Sequence, residues 1–271
     1  FNLMKSLKKY KDKEENKIFI NFFNHGLIIS FYNIFFRLNN LYLFCEGRGR
    51  FFPTIGFSLE KISIISFIVR NMIISNYKKI IVCNKEDFLF FNSNKVLNLG
   101  PIGINKLEYD KKYKKNNYRI QVFFIGRFLK SKGADIFLKI FESLSNHKNV
   151  NFFMIGQFDR LNNKIKKKIS NLNSFQNFQL VNYVDNLPSY FNKRSLLVFP
   201  SYYGEGSPRI IQECLNLKVP VIAFNSRGVN ELIDNFSNGI IMKIFIRLFN
   251  EKEIITIILG WFNLPIILCD H

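Results

Sequence analysis

Two stretches of the 271-residue chain join charged side chains to glycines at spacings that suit an anionic, hydroxyl-rich ligand. The first reads Gly126-Arg127-Phe128-Leu129-Lys130-Ser131-Lys132-Gly133, directly ahead of a helical pattern that starts at Ala134. Glycine lets a ligand approach the backbone, and Arg127 and Lys132 supply cations beside a helix N-terminus, so a diphosphate would fit there. Taken alone, such a loop is more often a pair of solvated cations. The second stretch runs from Pro200 to Cys214 and holds Glu205 in a loop and Glu213 in a helix. Ser207 suits the N-cap and Pro208 the first helical position. Helical spacing puts Ile210, Ile211, Cys214 and Leu215 on the buried face, with Glu213 on its flank and turned toward the same cleft as Glu205. Carboxylates accept hydrogen bonds from sugar hydroxyls, although either glutamate by itself is more often a surface charge.

These loops need strands and helices to aim them, and the sequence alternates short apolar runs with longer helical ones, the rhythm of parallel α/β units. In the first half, strands are expected at Lys17 to Phe23, Leu41 to Cys45, Lys79 to Cys83 and Lys95 to Leu99, and helices at Leu27 to Leu38, Ser58 to Ser75 and from Glu86. A turn from Gly100 to Asn105 and a polar linker follow. The second half predicts strands at Arg119 to Ile125, Val150 to Ile155, Phe178 to Val181, Ser195 to Phe199, Pro220 to Ala223 and Ile240. Its helices are expected at Ala134 to Leu144, Arg160 to Asn171, Leu187, Pro208 to Leu217 and near Asn230. In a doubly wound sheet ligands lie beyond the carboxyl ends of the strands, so the loops after Ile125, Val181, Phe199 and Phe224 are the ones to watch.

The joint order of Gly-Arg-x4-Lys-Gly, Glu-x7-Glu, Pro220-Val221-Ile222-Ala223 and Gly228-Val229-Asn230-Glu231 resembles the family-4 retaining glycosyltransferases, from about Ile120 to Lys243. The resemblance implies the GT-B fold: two Rossmann-like doubly wound α/β domains facing a cleft, here with the N-terminal one incomplete. The expected organisation is an acceptor-side domain over 1–105, a linker over 106–118, a nucleotide-sugar domain over 119–243 and an atypical or truncated tail over 244–271. The resemblance also implies that Gly126, Arg127 and Lys132 bind the donor diphosphate and that Glu213 binds the ribose. Glu205 would take the transferred sugar, assisted by the amides of Gly206 and Ser207, with Tyr183-Val184 against the base. Catalysis would rest on Glu205, Arg127 and Lys132, with no metal and no cofactor. Asn24-His25-Gly26 and Glu46-Gly47-Arg48-Gly49-Arg50 echo acceptor-side motifs, which makes His25 an acceptor or reaction-centre candidate. Asn84-Lys85-Glu86-Asp87 and Gly100-Pro101-Ile102-Gly103-Ile104-Asn105 match the run into the linker.

By the same resemblance the activity is retaining transfer of a hexose or N-acetylhexosamine from an NDP-sugar, expected to be UDP-linked. The implied acceptor is a lipid-diphosphate-linked or other saccharide of bacterial surface polysaccharide or lipopolysaccharide. A non-catalytic nucleotide-sugar-binding remnant and a GT-B sugar-nucleotide epimerase are the rival readings. The formal charge of +19 reflects scattered Lys residues without an aromatic-basic recognition motif, so no nucleic-acid partner is expected, while an anionic membrane surface suits it. Four widely spaced cysteines without a CxxC pair indicate reduced thiols and a cytoplasmic setting, peripheral to the inner membrane face. The apolar runs are short or interrupted, and none reads as a membrane span or a signal peptide.

Overall fold

The computed structural model describes residues 16–49, 63–108, 119–158, 163–172, 175–242, 254, 256–258 and 260. The N-terminal Lys run before Asn16, Arg50, most of the linker and nearly all of the tail fall outside them. The chain has a GT-B-like α/β fold and divides into two compact units. One comprises the chain up to Gly103 with Tyr203–Pro208 and Ser226–Leu232, and the other holds the remainder.

The first unit contains a four-stranded parallel sheet in the order β1 (Ile18–Asn21), β2 (Leu41–Cys45), β3 (Lys79–Val82) and β4 (Val96–Asn98). The strands are linked by α1 (Phe23–Phe36), α2 (Ser63–Asn76) and α3 (Lys85–Phe91). Side chains alternate along a strand, so Leu41, Leu43 and Cys45 point to one face, where Phe23, Ile29, Ile73, Tyr77 and Phe91 bury them. Gly26 is required by this packing, because a Cβ there would lie 2.6 Å from Leu43 Cδ1. Its carbonyl accepts from Tyr77 Oη at 3.0 Å and from Ser30 Oγ at 2.8 Å.

The second unit is a six-stranded parallel sheet. Its strands are β5 (Ile120–Ile125), β6 (Val150–Ile155), β7 (Phe178–Val181), β8 (Ser195–Phe199), β9 (Val221–Phe224) and β10 (Gly239–Met242). The spatial order β10-β9-β8-β5-β6-β7 is the doubly wound arrangement, with its topological switch between β5 and β8. Helices α4 (Ala134–Leu144), α5 (Asn163–Leu172) and α6 (Arg209–Asn216) connect the strands. The central strands are buried on both faces, as a parallel sheet between layers requires. On one face Val122, Phe124, Phe152 and Met154 pack on Phe137, Phe141 and Ile169. On the other, Phe123 stacks on Phe153 at 4.7 Å and meets Phe191 edge-on at 4.8 Å. Ile254 and Ile258 also enter this core.

Two expected elements differ. Helix α1 begins at Phe23 rather than Leu27, because Phe22 turns the chain with φ 72° immediately after β1. The helix expected near Asn230 does not form, and residues 227–232 are turns whose Gly228 adopts φ 73°. No helix among the described residues is long and apolar enough to cross a membrane.

Phe141 contacts Phe152, Phe175 and Phe178 and is fully buried. Phe141→Ala is expected to lower unfolding free energy by about 3–5 kcal/mol, measured by urea titration, as for other buried aromatic truncations.

Candidate functional site

The loop after β5 stands at the switch point. Gly126 adopts φ 148°, and a side chain there would meet nothing within 4 Å, so the space beside this backbone is open. Arg127 is exposed, Phe128 and Leu129 are buried anchors, and Lys130–Lys132 form one 3-10 turn with Lys132 half-buried. The turn ends at Gly133, whose φ is 78° and whose added Cβ would fall 2.2 Å from the Pro200 carbonyl oxygen. The Tyr202 N–H donates to Ser131 O at 3.0 Å. The loops on the two sides of the switch point are thus fixed backbone to backbone, and α4 starts at the residue after Gly133. Asp135 occupies the first turn of α4, so the helix end already has an acidic neighbour and anion attraction there must come chiefly from the cations. Burial, with Asp135 adding to it, pushes the Tyr202 hydroxyl up to about 12.

In the same unit, α6 buries Ile211 and Cys214, while Ile210 and Leu215 are only half-buried, a narrower buried face than the spacing suggested. Glu213 lies beside that face, 18% exposed, and its Oε1 accepts from Arg209 Nε at 2.7 Å. Arg209 itself is 79% exposed, so this pair presents a carboxylate with one oxygen engaged by a solvated partner. The sequence reading passed over Arg209, although its i,i+4 spacing to Glu213 was visible. Val184 is half-buried in the loop after β7, next to the exposed Tyr183. Cys214 is a free buried thiol, held protonated by desolvation and then by the nearby Glu213 carboxylate.

The first unit carries the other candidates. Glu205 is half-buried and its N–H donates to Tyr203 O at 2.8 Å. Gly206 lies pressed between two other glycines: a Cβ on Gly47 would come within 2.4 Å of Gly206 N, and one on Gly228 within 2.4 Å of Gly206 O. Gly49 N–H donates to Gly204 O at 3.0 Å. Ser207 follows in the same loop and is half-buried. His25 is exposed in the first turn of α1, where Nδ1 pairs with Asn21 O at 3.0 Å and the ring meets Phe22 edge-on. It forms no hydrogen bond to the Glu205 loop.

Beneath that loop lies a charged cluster that the sequence reading missed. Asp87 is wholly buried; its Oδ1 accepts from Arg48 Nε at 2.7 Å and its Oδ2 from Asn84 Nδ2 at 2.9 Å. Arg227 Nε stands 3.7 Å from Asp87 Oδ1 and 3.6 Å from Glu86 Oε2. Asn84 caps α3 by accepting from Asp87 N–H at 2.8 Å, and it also donates to Gly206 O at 2.9 Å. Arg48 covers the Phe90 ring with Cζ 4.0 Å from its centroid. Arg48 and the Asn84–Asp87 run stand in stretches the sequence reading singled out, whereas Arg227 does not, and the contacting pair Glu86 and Arg227 is 141 positions apart, so no local pattern announces their meeting. Cys83, next to the cluster, is pushed up to about 11, first by burial and then by Glu46 and Asp87.

The model of the family described as Glycosyl transferases group 1 matches residues 105–252. Among curated relatives, the capsular polysaccharide biosynthesis glycosyltransferase CapM of Staphylococcus aureus is 26% identical over 162 residues, covering 59% of this chain and 42% of CapM. The chain therefore spans about two fifths of that relative's length. Among solved structures, sucrose-phosphate synthase of Thermosynechococcus elongatus superposes with a TM-score of 0.71 at 17% identity, covering 96% of this chain and 69% of that one. HepE of Anabaena, in complex with UDP and glucose, superposes with a TM-score of 0.69 at 14% identity, covering 96% of this chain and 70% of that one.

The buried cluster makes its own prediction. Asp87→Ala leaves Arg48 and Arg227 without their shared carboxylate and is expected to cost about 3–5 kcal/mol in chemical denaturation. In a double-mutant cycle with Arg48→Leu, the combined loss should fall clearly short of the sum of the single losses.

Proposed function

This chain belongs to the glycosyl transferases group 1 family, and on that footing we propose that it is a retaining, metal-independent hexosyl- or N-acetylhexosaminyltransferase. The donor is an NDP-sugar, UDP-linked, and the acceptor is a lipid-diphosphate-linked or related saccharide of surface polysaccharide or lipopolysaccharide assembly. The observation that carries this reading is the loop at the switch point, where open space beside Gly126 adjoins the exposed Arg127 and the half-buried Lys132. UDP and glucose in HepE support the choice of donor, and the biosynthetic role in CapM's name supports the choice of acceptor.

In this reading Arg127 and Lys132 grip the diphosphate at Gly126, Glu213 accepts from the ribose hydroxyls, and Val184 lies against the base. Glu205, with the backbone of Gly206 and Ser207, takes the transferred sugar, and His25 serves the acceptor side. The acceptor hydroxyl attacks the anomeric carbon on the face from which the diphosphate departs. The sugar–oxygen bond breaks with its electron pair moving to the phosphate oxygen, which receives the acceptor's proton. Charge grows on the diphosphate as this happens, and preorganised cations are well suited to stabilise it. The basic surplus and the exposed apolar residues Ile28, Phe31 and Phe35 of α1 support a cytoplasmic enzyme lying against the inner membrane face, at roughly 1 kcal/mol per well-placed basic residue.

Nucleotide-sugar binding without turnover is the alternative outcome against which the enzyme reading is tested. Mass spectrometry of products formed from a panel of UDP-sugars and lipid-diphosphate acceptors separates the two: transfer supports the enzyme, and donor binding without any product supports binding alone. A product formed without acceptor would indicate an epimerase.

Calorimetry with UDP and UDP-sugar tests the site. Arg127→Ala and Lys132→Ala should each weaken both ligands by about 1–3 kcal/mol, the range for a charged hydrogen-bond partner. Lys130→Ala, an exposed cation in the same loop, should leave them unchanged. Glu213→Ala should weaken both ligands alike, whereas Glu205→Ala should weaken only the UDP-sugar. Equal losses for Lys130→Ala and Lys132→Ala would mean general attraction by a basic chain and would remove the phosphate assignment.

A further inference from the structure

The geometry points to Asn84 as the positioning residue for the Glu205-Gly206-Ser207 loop, a role that rests on the donor-sugar reading of that loop given above. Asn84 is completely buried, 122 residues away from Gly206 in sequence, and each polar atom of its side chain has a defined task. Oδ1 accepts from Asp87 N–H at 2.8 Å and caps α3, while Nδ2 divides its donors between Asp87 Oδ2 and Gly206 O, both at 2.9 Å. The amide cannot turn over, because exchanging its oxygen and nitrogen would set a donor against the Asp87 N–H and an acceptor against the Asp87 carboxylate and the Gly206 carbonyl. Asp87 is in turn held by Arg48, so the orientation is fixed through two charged hydrogen bonds below it.

Asn84 holds the Gly206 carbonyl, and the consequence reaches both neighbours of that residue. The Gly206–Ser207 peptide is trans and planar, so fixing the carbonyl direction also fixes the direction of the Ser207 N–H. On the other side Gly47 packs against the Glu205–Gly206 peptide, where an added Cβ would lie 2.4 Å from Gly206 N and 2.6 Å from Glu205 C. Gly47 and Gly228 close the remaining freedom by meeting the Gly206 backbone so tightly that neither admits a Cβ. A loop that must present a carboxylate and backbone amides to a sugar is thus held at Gly206 by one side-chain amide and two glycine contacts. Preorganisation of this kind determines how well a binding group performs, since a displacement of about 1 Å can cost on the order of a hundredfold in rate.

Asn84→Ser is the informative variant, because serine preserves an N-cap acceptor for α3 but is too short to reach the Gly206 carbonyl. Asn33→Ala serves as a purely structural control: Asn33 is buried at the other end of α1, where it bonds Leu38 and Asn76. Hydrogen exchange by mass spectrometry, at a temperature where all forms are folded, is followed with and without UDP-glucose. In the wild-type chain both 126–133 and 203–208 should gain protection. In Asn84→Ser the gain over 203–208 should vanish while that over 126–133 persists, and UDP-glucose affinity should fall roughly tenfold with UDP affinity kept. Asn33→Ala should melt earlier and retain both gains. Undiminished protection of 203–208 in Asn84→Ser would overturn the positioning role. Protection of 126–133 alone in the wild type would overturn the sugar-loop reading on which it rests, and no protection at either loop would overturn the donor reading as a whole.

Discussion

The candidate donor site depends on the close backbone approach between Gly133 and Pro200 in the second unit. A parallel doubly wound sheet leaves a gap at its switch point, where the chains leaving β5 and β8 turn to opposite sides. Here the gap is bridged by a glycine that carries φ 78° and that tolerates no side chain against the Pro200 carbonyl. The Tyr202 N–H adds a hydrogen bond to Ser131. With these contacts made, the cationic loop is held at the strand ends, its Phe128 and Leu129 buried and its Arg127, Lys130 and Lys132 outside the core. Any larger residue at Gly133 would have to move one loop or the other.

The first unit solves a comparable problem with charge. Four loops meet around Asp87, and a wholly buried carboxylate there costs a great deal unless it is paired and hydrogen-bonded. Arg48, Asn84 and its own helix terminus meet that demand, and Arg227 contributes from the side. Such a cluster gives little net stability compared with a well-packed apolar one, but removing a single partner is severe. It therefore acts as a register pin. The glycine contacts at Gly47, Gly206 and Gly228 are tolerable only in one arrangement of the loops, and the charged cluster selects that arrangement.

Much of the fold was legible in the sequence because the central strands are unbroken apolar runs. Val150–Ile155, Phe178–Val181 and Ser195–Phe199 begin and end where their composition does, and Ala134–Leu144 follows its apolar stripe between Gly133 and Ser145. The position of the Gly126–Gly133 loop, between β5 and α4, was legible for the same reason. What the sequence could not reveal was nonlocal. The turns at 227–232 replace an expected helix where Gly228 must fit against Gly206 and Arg227 must reach Glu86 and Asp87, demands set by residues outside the local sequence window. Helix α1 likewise starts early because the unusual φ of Phe22 redirects the chain, which apolar periodicity does not encode. Arg48 was seen only as part of a glycine-rich motif, and its partner Asp87 only as part of a run toward the linker.

The central claim is that this strongly basic chain has one built diphosphate site rather than a diffuse attraction for anions. Calorimetric titration with UDP at low salt and again at 1 M salt tests it most directly, since the screening length falls from about 30 Å at 0.01 M to about 3 Å at 1 M. The account predicts one UDP per chain at both ionic strengths, with affinity reduced but retained in high salt because the contacts are short. Several weakly bound nucleotides per chain at low salt, all lost at 1 M, would contradict it.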